Sequence, residues 1–173
     1  YSGSRFIVVG TPSGITLGPE GGSHQSVITP AIGIGLPDLA YYEPCFGQEL
    51  EWILLSALDK IRTRVESTYL RLTTKPADQS LFTPPTDPTE LEQLRQQVIA
   101  GAYRLVDRSG EEGYATGENV VNVFACGAMV PEAVAASDQL LDEGIFANVV
   151  NVTGPGPLYS SFQDSVHRSM KTG

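Results

Sequence analysis

Val120-Val121-Asn122-Val123-Phe124-Ala125-Cys126, followed by Pro131 to Glu143, Gly144 and Ala147-Asn148-Val149-Val150-Asn151-Val152, is the stretch that decides the fold. The first run is apolar and β-branched, which reads as a buried strand. Pro131 opens a helix, where its missing N–H costs nothing. Gly144 ends that helix. The second apolar run is another strand. A strand, a helical crossover and a strand make a βαβ unit with parallel strands. Gly154-Pro155-Gly156-Pro157 is expected to break the chain again. An open edge after Val152 would leave unpaired backbone, so this piece is expected to need more sequence or a partner.

Working upstream, residues 46–65 form a long amphipathic helix, with Phe46, Leu50, Ile53, Leu54, Ala57, Leu58, Ile61 and Val65 on one stripe. Trp52 falls on the opposite face, as a partly exposed ring or as a contact with another domain or subunit. Arg5-Phe6-Ile7-Val8-Val9-Gly10 reads as a buried strand, and Asp38-Leu39-Ala40-Tyr41-Tyr42-Glu43 as a second, closed by Pro44. Ser67 to Thr74 alternates and is a third strand. Lys75 to Pro88 carries four prolines and looks irregular. A short helix from about Thr89 to Gln97 has an acidic first turn, which suits the helix dipole. Ala102 to Val106 is a strand. The polar, glycine-rich residues 107–118 read as part of a linker with a boundary near residue 110. The reading is α/β: two layered parallel-sheet pieces, the second incomplete.

The 173 residues are 41% hydrophobic and 18% charged, enough for a core. Eleven Lys+Arg against twenty Asp+Glu give a net charge of −9. That sign argues against nucleic acid or an anionic membrane as the main partner. Eight of the eleven bases lie between Lys60 and Arg108, on the solvated side of helices and strands or on a surface for an acidic partner. No apolar run is long enough to span a membrane. The start at Tyr1 has neither signal-peptide pattern nor Met, so a piece of something longer is expected. Cys45 and Cys126 lie 81 residues apart with no Cys/His cluster beside them. Two buried thiols in a reducing, cytoplasmic protein are expected, with no disulfide framework and no metal site.

Three stretches could carry chemistry. Gly18-Pro19-Glu20-Gly21-Gly22-Ser23-His24-Gln25 would bring backbone close to a ligand and present an imidazole and a carboxylate in one loop. By spacing alone, a loop histidine without a paired Asp or Ser is more often a surface residue. Cys126-Gly127-Ala128-Met129-Val130-Pro131 is a strand–turn–helix that can hold an anion, but it lacks the dinucleotide-binding glycines. Gly10-Thr11-Pro12-Ser13-Gly14 is no phosphate-binding loop of the Walker kind, since no Lys follows. No Gly-x-Ser-x-Gly occurs, and His167 reads as a surface residue.

The chain resembles the transketolase superfamily of thiamine-diphosphate enzymes, most of all the single-chain E1 component of pyruvate dehydrogenase. The resemblance rests on Arg5 to Gly14, then Thr16-Leu17-Gly18-Pro19-Glu20-Gly21-Gly22-Ser23-His24-Gln25-Ser26, Tyr42-Glu43-Pro44, Tyr69-Leu70-Arg71-Leu72 with Pro76 and Asp78-Gln79, Gly101 to Leu105, Val130-Pro131-Glu132-Ala133, Glu143-Gly144 and Asn151-Val152-Thr153. It implies that residues 1–75 are the C-terminal half of a pyrimidine-binding domain. Residues 76–117 would then be a connecting segment with a short helix and strand, and 118–173 the start of the family's C-terminal domain.

The resemblance also implies roles. His24 would be catalytic, beside the cofactor's thiazolium, because a developing negative oxygen needs a donor. Glu20 and Gln25 would bind substrate and shape the loop. Glu20 stands where sugar-transferring members carry an Asp that recognises a hydroxyl, which favours a 2-oxoacid. The residues that bind thiamine diphosphate and Mg²⁺ are expected upstream of Tyr1. The parent enzyme would decarboxylate a 2-oxoacid and pass the acyl group to lipoyl. Its partners would be a second E1 subunit in a homodimer and a lipoyl-bearing E2 component. The isolated chain would be inactive. A transketolase acting on ketose phosphates, or a non-catalytic α/β assembly module, are the alternatives.

Overall fold

The protein is described by a computed structural model covering residues 4–14, 16–22 and 28–172. It is α/β, with two three-stranded sheets. The first holds β1 (Ile7–Gly10), β2 (Leu39–Tyr42) and β3 (Ser67–Arg71) in the order β1-β3-β2, all parallel. Between β1 and β2 runs α1 (Thr29–Gly35), and between β2 and β3 runs α2 (Gly47–Arg62). Next come α3 (Pro88–Ala100) and β4 (Ala102–Val106). The βαβ unit read from the sequence is present as β5 (Val120–Ala125), α4 (Val130–Asp142) and β6 (Phe146–Val152). The last helix is α5 (Pro155–Thr172).

Five features differ from the sequence reading, each for a physical reason. The strand at 102–106 does not end in the connecting segment: it pairs antiparallel with β6, so the second sheet is mixed, in the order β4-β6-β5. That pairing makes β6 the central strand, so no open edge follows Val152. Gly154 to Pro157 does not break the chain but starts α5, because proline at the first helical positions gives up no intrahelical bond. Trp52 is buried, while Leu54, Leu58 and Val65 of the expected core stripe stand exposed. The reason is Glu49: its buried carboxylate turns the Glu49, Trp52, Ile53 and Ala57 face inward. Finally, the first strand is an edge. Val8 and Val9 are 45% and 59% exposed rather than buried.

The two sheets share a core. Ala40, Tyr42, Trp52, Ile53, Leu70, Val98 and Tyr103 form one cluster, although Tyr103 belongs to the second sheet. Cys45, Phe46, Ala125, Val130, Ala133 and Val149 form the other, although Cys45 and Phe46 follow the first. Phe82, from the proline-rich segment, packs on both. Its ring stacks on Phe46 at 5.2 Å and meets Trp52 and Tyr103 edge-on at 6.2 and 5.7 Å. Gly101 caps α3 at φ 119°, where a Cβ would also lie 2.5 Å from the Gly154 carbonyl. Only glycine fits that close approach between the start of β4 and the start of α5.

Candidate functional site

Parallel strands end on one side of a sheet, and open α/β sheets bind ligands beyond those carboxyl ends. Here β1 runs out towards Pro12 and Ser13, β2 into Glu43 and Pro44, β3 towards Thr73 to Lys75, and β5 into the turn Gly127–Met129. A groove of about 610 Å³ opens there, lined by Thr16, Pro19, Lys75, Ala128, Met129 and Glu132. Thr16 Oγ1 donates to the Ser13 carbonyl at 3.1 Å and lies 2.9 Å from Thr74 Oγ1. Lys75 Nζ donates to Glu132 Oε1 at 2.8 Å, and that bond holds the Glu132 carboxyl below its ordinary range. Hydroxyls, an ammonium and a carboxylate beside an apolar Met129 suit a small polar molecule with a charged end.

Behind the groove lies a buried polar network. Glu43 Oε1 accepts from the Ser13 hydroxyl and from Arg71 Nη1 at 3.5 Å, and Glu43 Oε2 accepts from the Tyr41 hydroxyl at 2.5 Å. Arg71 Nε donates to the Pro12 carbonyl at 2.8 Å. Ser13 Oγ accepts the Ala128 amide at 3.3 Å, which ties the first sheet to the turn after β5. The Gly127 backbone has φ 51°, and a Cβ there would collide with Ser13 Oγ and come within 2.8 Å of Glu43 Cγ. Burial, with Glu43 beside it, pushes the Tyr41 phenol well above its usual range. Its proton therefore stays on the oxygen and is donated to the carboxylate.

A second network joins the sheets at the start of α2. Glu49 is fully buried. Its Oε2 accepts the Cys45 and Phe46 amides, each at 2.9 Å, and caps the helix. Its Oε1 accepts the Tyr103 hydroxyl at 2.6 Å and Asn151 Nδ2 at 2.7 Å. Burial raises the Glu49 pKa despite these four donors.

The sequence-predicted residues fall as follows. Glu20 ends the single helical turn Gly18–Glu20 and is exposed; its neighbour Pro19 lines the groove. His24 and Gln25 lie outside the described residues. His167 is exposed on α5. Cys45 is buried and Cys126 half-buried, both free. Burial pushes the Cys45 thiol up to about 12 and raises Cys126 as well. Both are thiols rather than thiolates at neutral pH, so neither is a poised nucleophile. The turn expected to hold an anion is already supplied from within, because Ser13 Oγ takes the Ala128 amide. Among the described residues no group of three or more His, Cys, Asp or Glu could hold a metal ion.

Sequence reasoning missed the roles of Ser13, Glu43, Arg71, Glu49, Tyr103 and Asn151. A signal existed for two of them. Glu43 closes an apolar strand, and Arg71 sits between Leu70 and Leu72 in another. Opposite charges at the ends of two neighbouring buried strands are a pairing pattern.

No protein-family model matches the chain. It is 29% identical over 174 aligned residues to a 6-deoxy-6-sulfo-D-fructose transketolase subunit from Clostridium sp., covering 100% of this chain and 46% of that protein. It is 28% identical over 146 residues to transketolase 1 of Candida albicans, covering 84% of this chain and 18% of the relative. A Pichia stipitis transketolase variant superposes with TM-score 0.65 at 23% identity, over 87% of this chain and 19% of that one. Campylobacter jejuni transketolase superposes at 0.61 and 18% identity, over 88% and 20%. A split-gene transketolase solved as an inactive β4 tetramer superposes at 0.52 and 20% identity, over 86% and 39%. The chain thus has a transketolase-like α/β fold. It spans less than half the length of the curated relatives it matches.

Proposed function

We propose that the chain is one part of a thiamine-diphosphate-dependent enzyme of the transketolase type, acting on a ketose with an anionic end. The observation that carries this is the groove at the carboxyl ends of the strands, in a transketolase-like fold, lined by Thr16 and by Pro19 at the start of the glycine-rich stretch. Lys75 is the groove's cation, paired with Glu132, and Thr16, hydrogen-bonded to Thr74, is its hydroxyl. They would orient the substrate's polar end, and Met129 would shield the reacting end from water. The curated relatives named as transketolases favour a sugar substrate.

Thiamine diphosphate, when bound, supplies the carbanion chemistry, while the protein supplies placement and electrostatics. Its metal and diphosphate anchor is assigned to residues upstream of Tyr1, in keeping with the lack, among the described residues, of a group of three or more His, Cys, Asp or Glu that could hold a metal ion. His24 is assigned the donor role towards developing negative charge, and Gln25 the shaping of the loop. The assembly is a homodimer whose site is completed by sequence beyond this chain, and the location is cytoplasmic. No helix among the described residues is long and apolar enough to cross a membrane.

A second reading rests on Glu20. A glutamate in place of the loop's aspartate favours a 2-oxoacid, and an E1 component handing its acyl group to lipoyl on an E2 partner. Calorimetric titration with thiamine diphosphate and Mg²⁺, on the chain alone and on the complete enzyme, tests both. We expect binding only by the complete enzyme, turnover of a ketose phosphate, and loss of at least about a hundredfold in kcat on His24→Ala. Turnover of pyruvate but not of ketose phosphates would select the E1 reading. Neither binding nor turnover by a folded complete enzyme would remove both.

A further inference from the structure

We infer that Glu43 and Ser13 form a positioning pair that sets the groove wall from behind, and so tune how tightly substrate is held; the kinetic part of this rests on the function proposed above. The wall in question is the Gly127–Met129 turn, of which Ala128 and Met129 line the groove. Among the described residues no groove-lining side chain hydrogen-bonds to that turn. Its Ala128 amide is held instead by Ser13 Oγ at 3.3 Å. Ser13 is held in turn, since its hydroxyl proton points at Glu43 Oε1.

A hydroxyl that donates to a carboxylate is a better acceptor, because hydrogen bonds in a chain polarise one another. Ser13, Glu43 and Arg71 are 1%, 6% and 2% exposed, so water cannot replace a lost partner. Arg71 balances the charge and also grips the Pro12 carbonyl at 2.8 Å, fixing the backbone one residue before Ser13. The side-chain-free Gly127 lets the pair approach the turn directly. None of these side chains lines the groove, so their effect on a substrate runs through the position of Ala128 and Met129, and through Thr16, which donates to the Ser13 carbonyl. Removing the pair moves a binding wall without removing a reacting group.

The test uses the complete enzyme containing this chain, assayed with a ketose phosphate and with pyruvate. Ser13→Ala and Glu43→Gln are each expected to raise KM about fivefold or more with kcat within about twofold, the pattern of lost binding rather than lost chemistry. The double variant is expected to be no worse than the worse single, because both act through one bond to Ala128. Unchanged KM in the single variants, or effects that multiply in the double, would overturn the inference. Ser13→Ala removes one oxygen only and carries the test alone if Glu43→Gln does not fold. An enzyme that turns over neither substrate would end the functional reading. The pair is then judged by hydrogen exchange at the Ala128 amide. Exchange accelerated about tenfold or more by Ser13→Ala supports it, and unchanged exchange refutes it.

Discussion

At the scale of single residues, the two sheets are joined by buried carboxylates rather than by apolar contact alone. Glu49 shows what that entails. Four donors converge on it, from Cys45, Phe46, Tyr103 and Asn151. Burial nevertheless wins and raises its pKa. Asn151 Oδ1 is buried with no hydrogen-bond partner among the described residues, so turning that amide over offers an acceptor to a protonated Glu49. Glu49→Ala strands the donors and is expected to cost on the order of 3 kcal/mol or more. The pH sign follows from the raised value. The folded protein holds this proton to higher pH than the unfolded chain does. The carboxyl's contribution is therefore complete below the ordinary glutamate range and is lost as pH rises through the raised folded value. Urea midpoints of the wild type and Glu49→Gln, measured across that window, should show the wild type losing ground as pH rises. A difference that does not vary with pH would refute this account.

At the scale of elements, local chemistry sets the helix ends. Asp87 precedes Pro88 and accepts the Thr89 and Glu90 amides at 2.9 and 3.0 Å, an N-cap followed by proline in the first turn. Asp87→Ala is expected to cost about 1 kcal/mol, read as a lower urea midpoint at constant slope, while Asp87→Ser should recover most of it. A midpoint unmoved by Asp87→Ala would show that α3 is held by packing alone. This is also the scale at which the sequence was most legible. Period-2 and period-3.6 patterns, apolar runs and Pro/Gly punctuation found β1, β2, β3, α2, α3, β4, β5, α4 and β6. What escaped them was tertiary in origin. Periodicity marks an apolar stripe in α2 but cannot say that Glu49 is bonded from a distant strand, and that bond decides which stripe turns inward. The seven-residue α1 carries two glycines and a proline and gave no periodic signal. Of the site, the glycine-rich loop was legible as a motif. The Ser13–Glu43–Arg71 network was not, because its members are 28 to 58 residues apart and meet only where parallel strands end together.

At the scale of the whole molecule, the two sheets behave as one body only if something couples them. Besides the polar networks, two apolar side chains pack on both clusters, Leu105 and the larger Phe82. Phe82 comes from the proline-rich segment that the sequence marks as irregular, yet it contacts both hydrophobic clusters. A ring stacked on Phe46 and edge-on to Trp52 and Tyr103 spans both units at once. Phe82→Ala would open a cavity at that junction, and because the ring is only partly buried the loss should be about 2–3 kcal/mol, below the range for fully buried phenylalanines. More telling is its effect on cooperativity. Trp52 is the only tryptophan and sits in the first sheet's cluster, so its fluorescence reports that unit, whereas far-UV circular dichroism averages over both. In the wild type the two signals should unfold together, as a two-state chain requires. In Phe82→Ala they should separate, because the aromatic junction is lost and the smaller Leu105 is the side chain left packing on both clusters. Coincident transitions in the variant would mean that Glu49 and Glu43, not the aromatic junction, carry the coupling. Glu49→Gln in the Phe82→Ala background would then be the change that splits them.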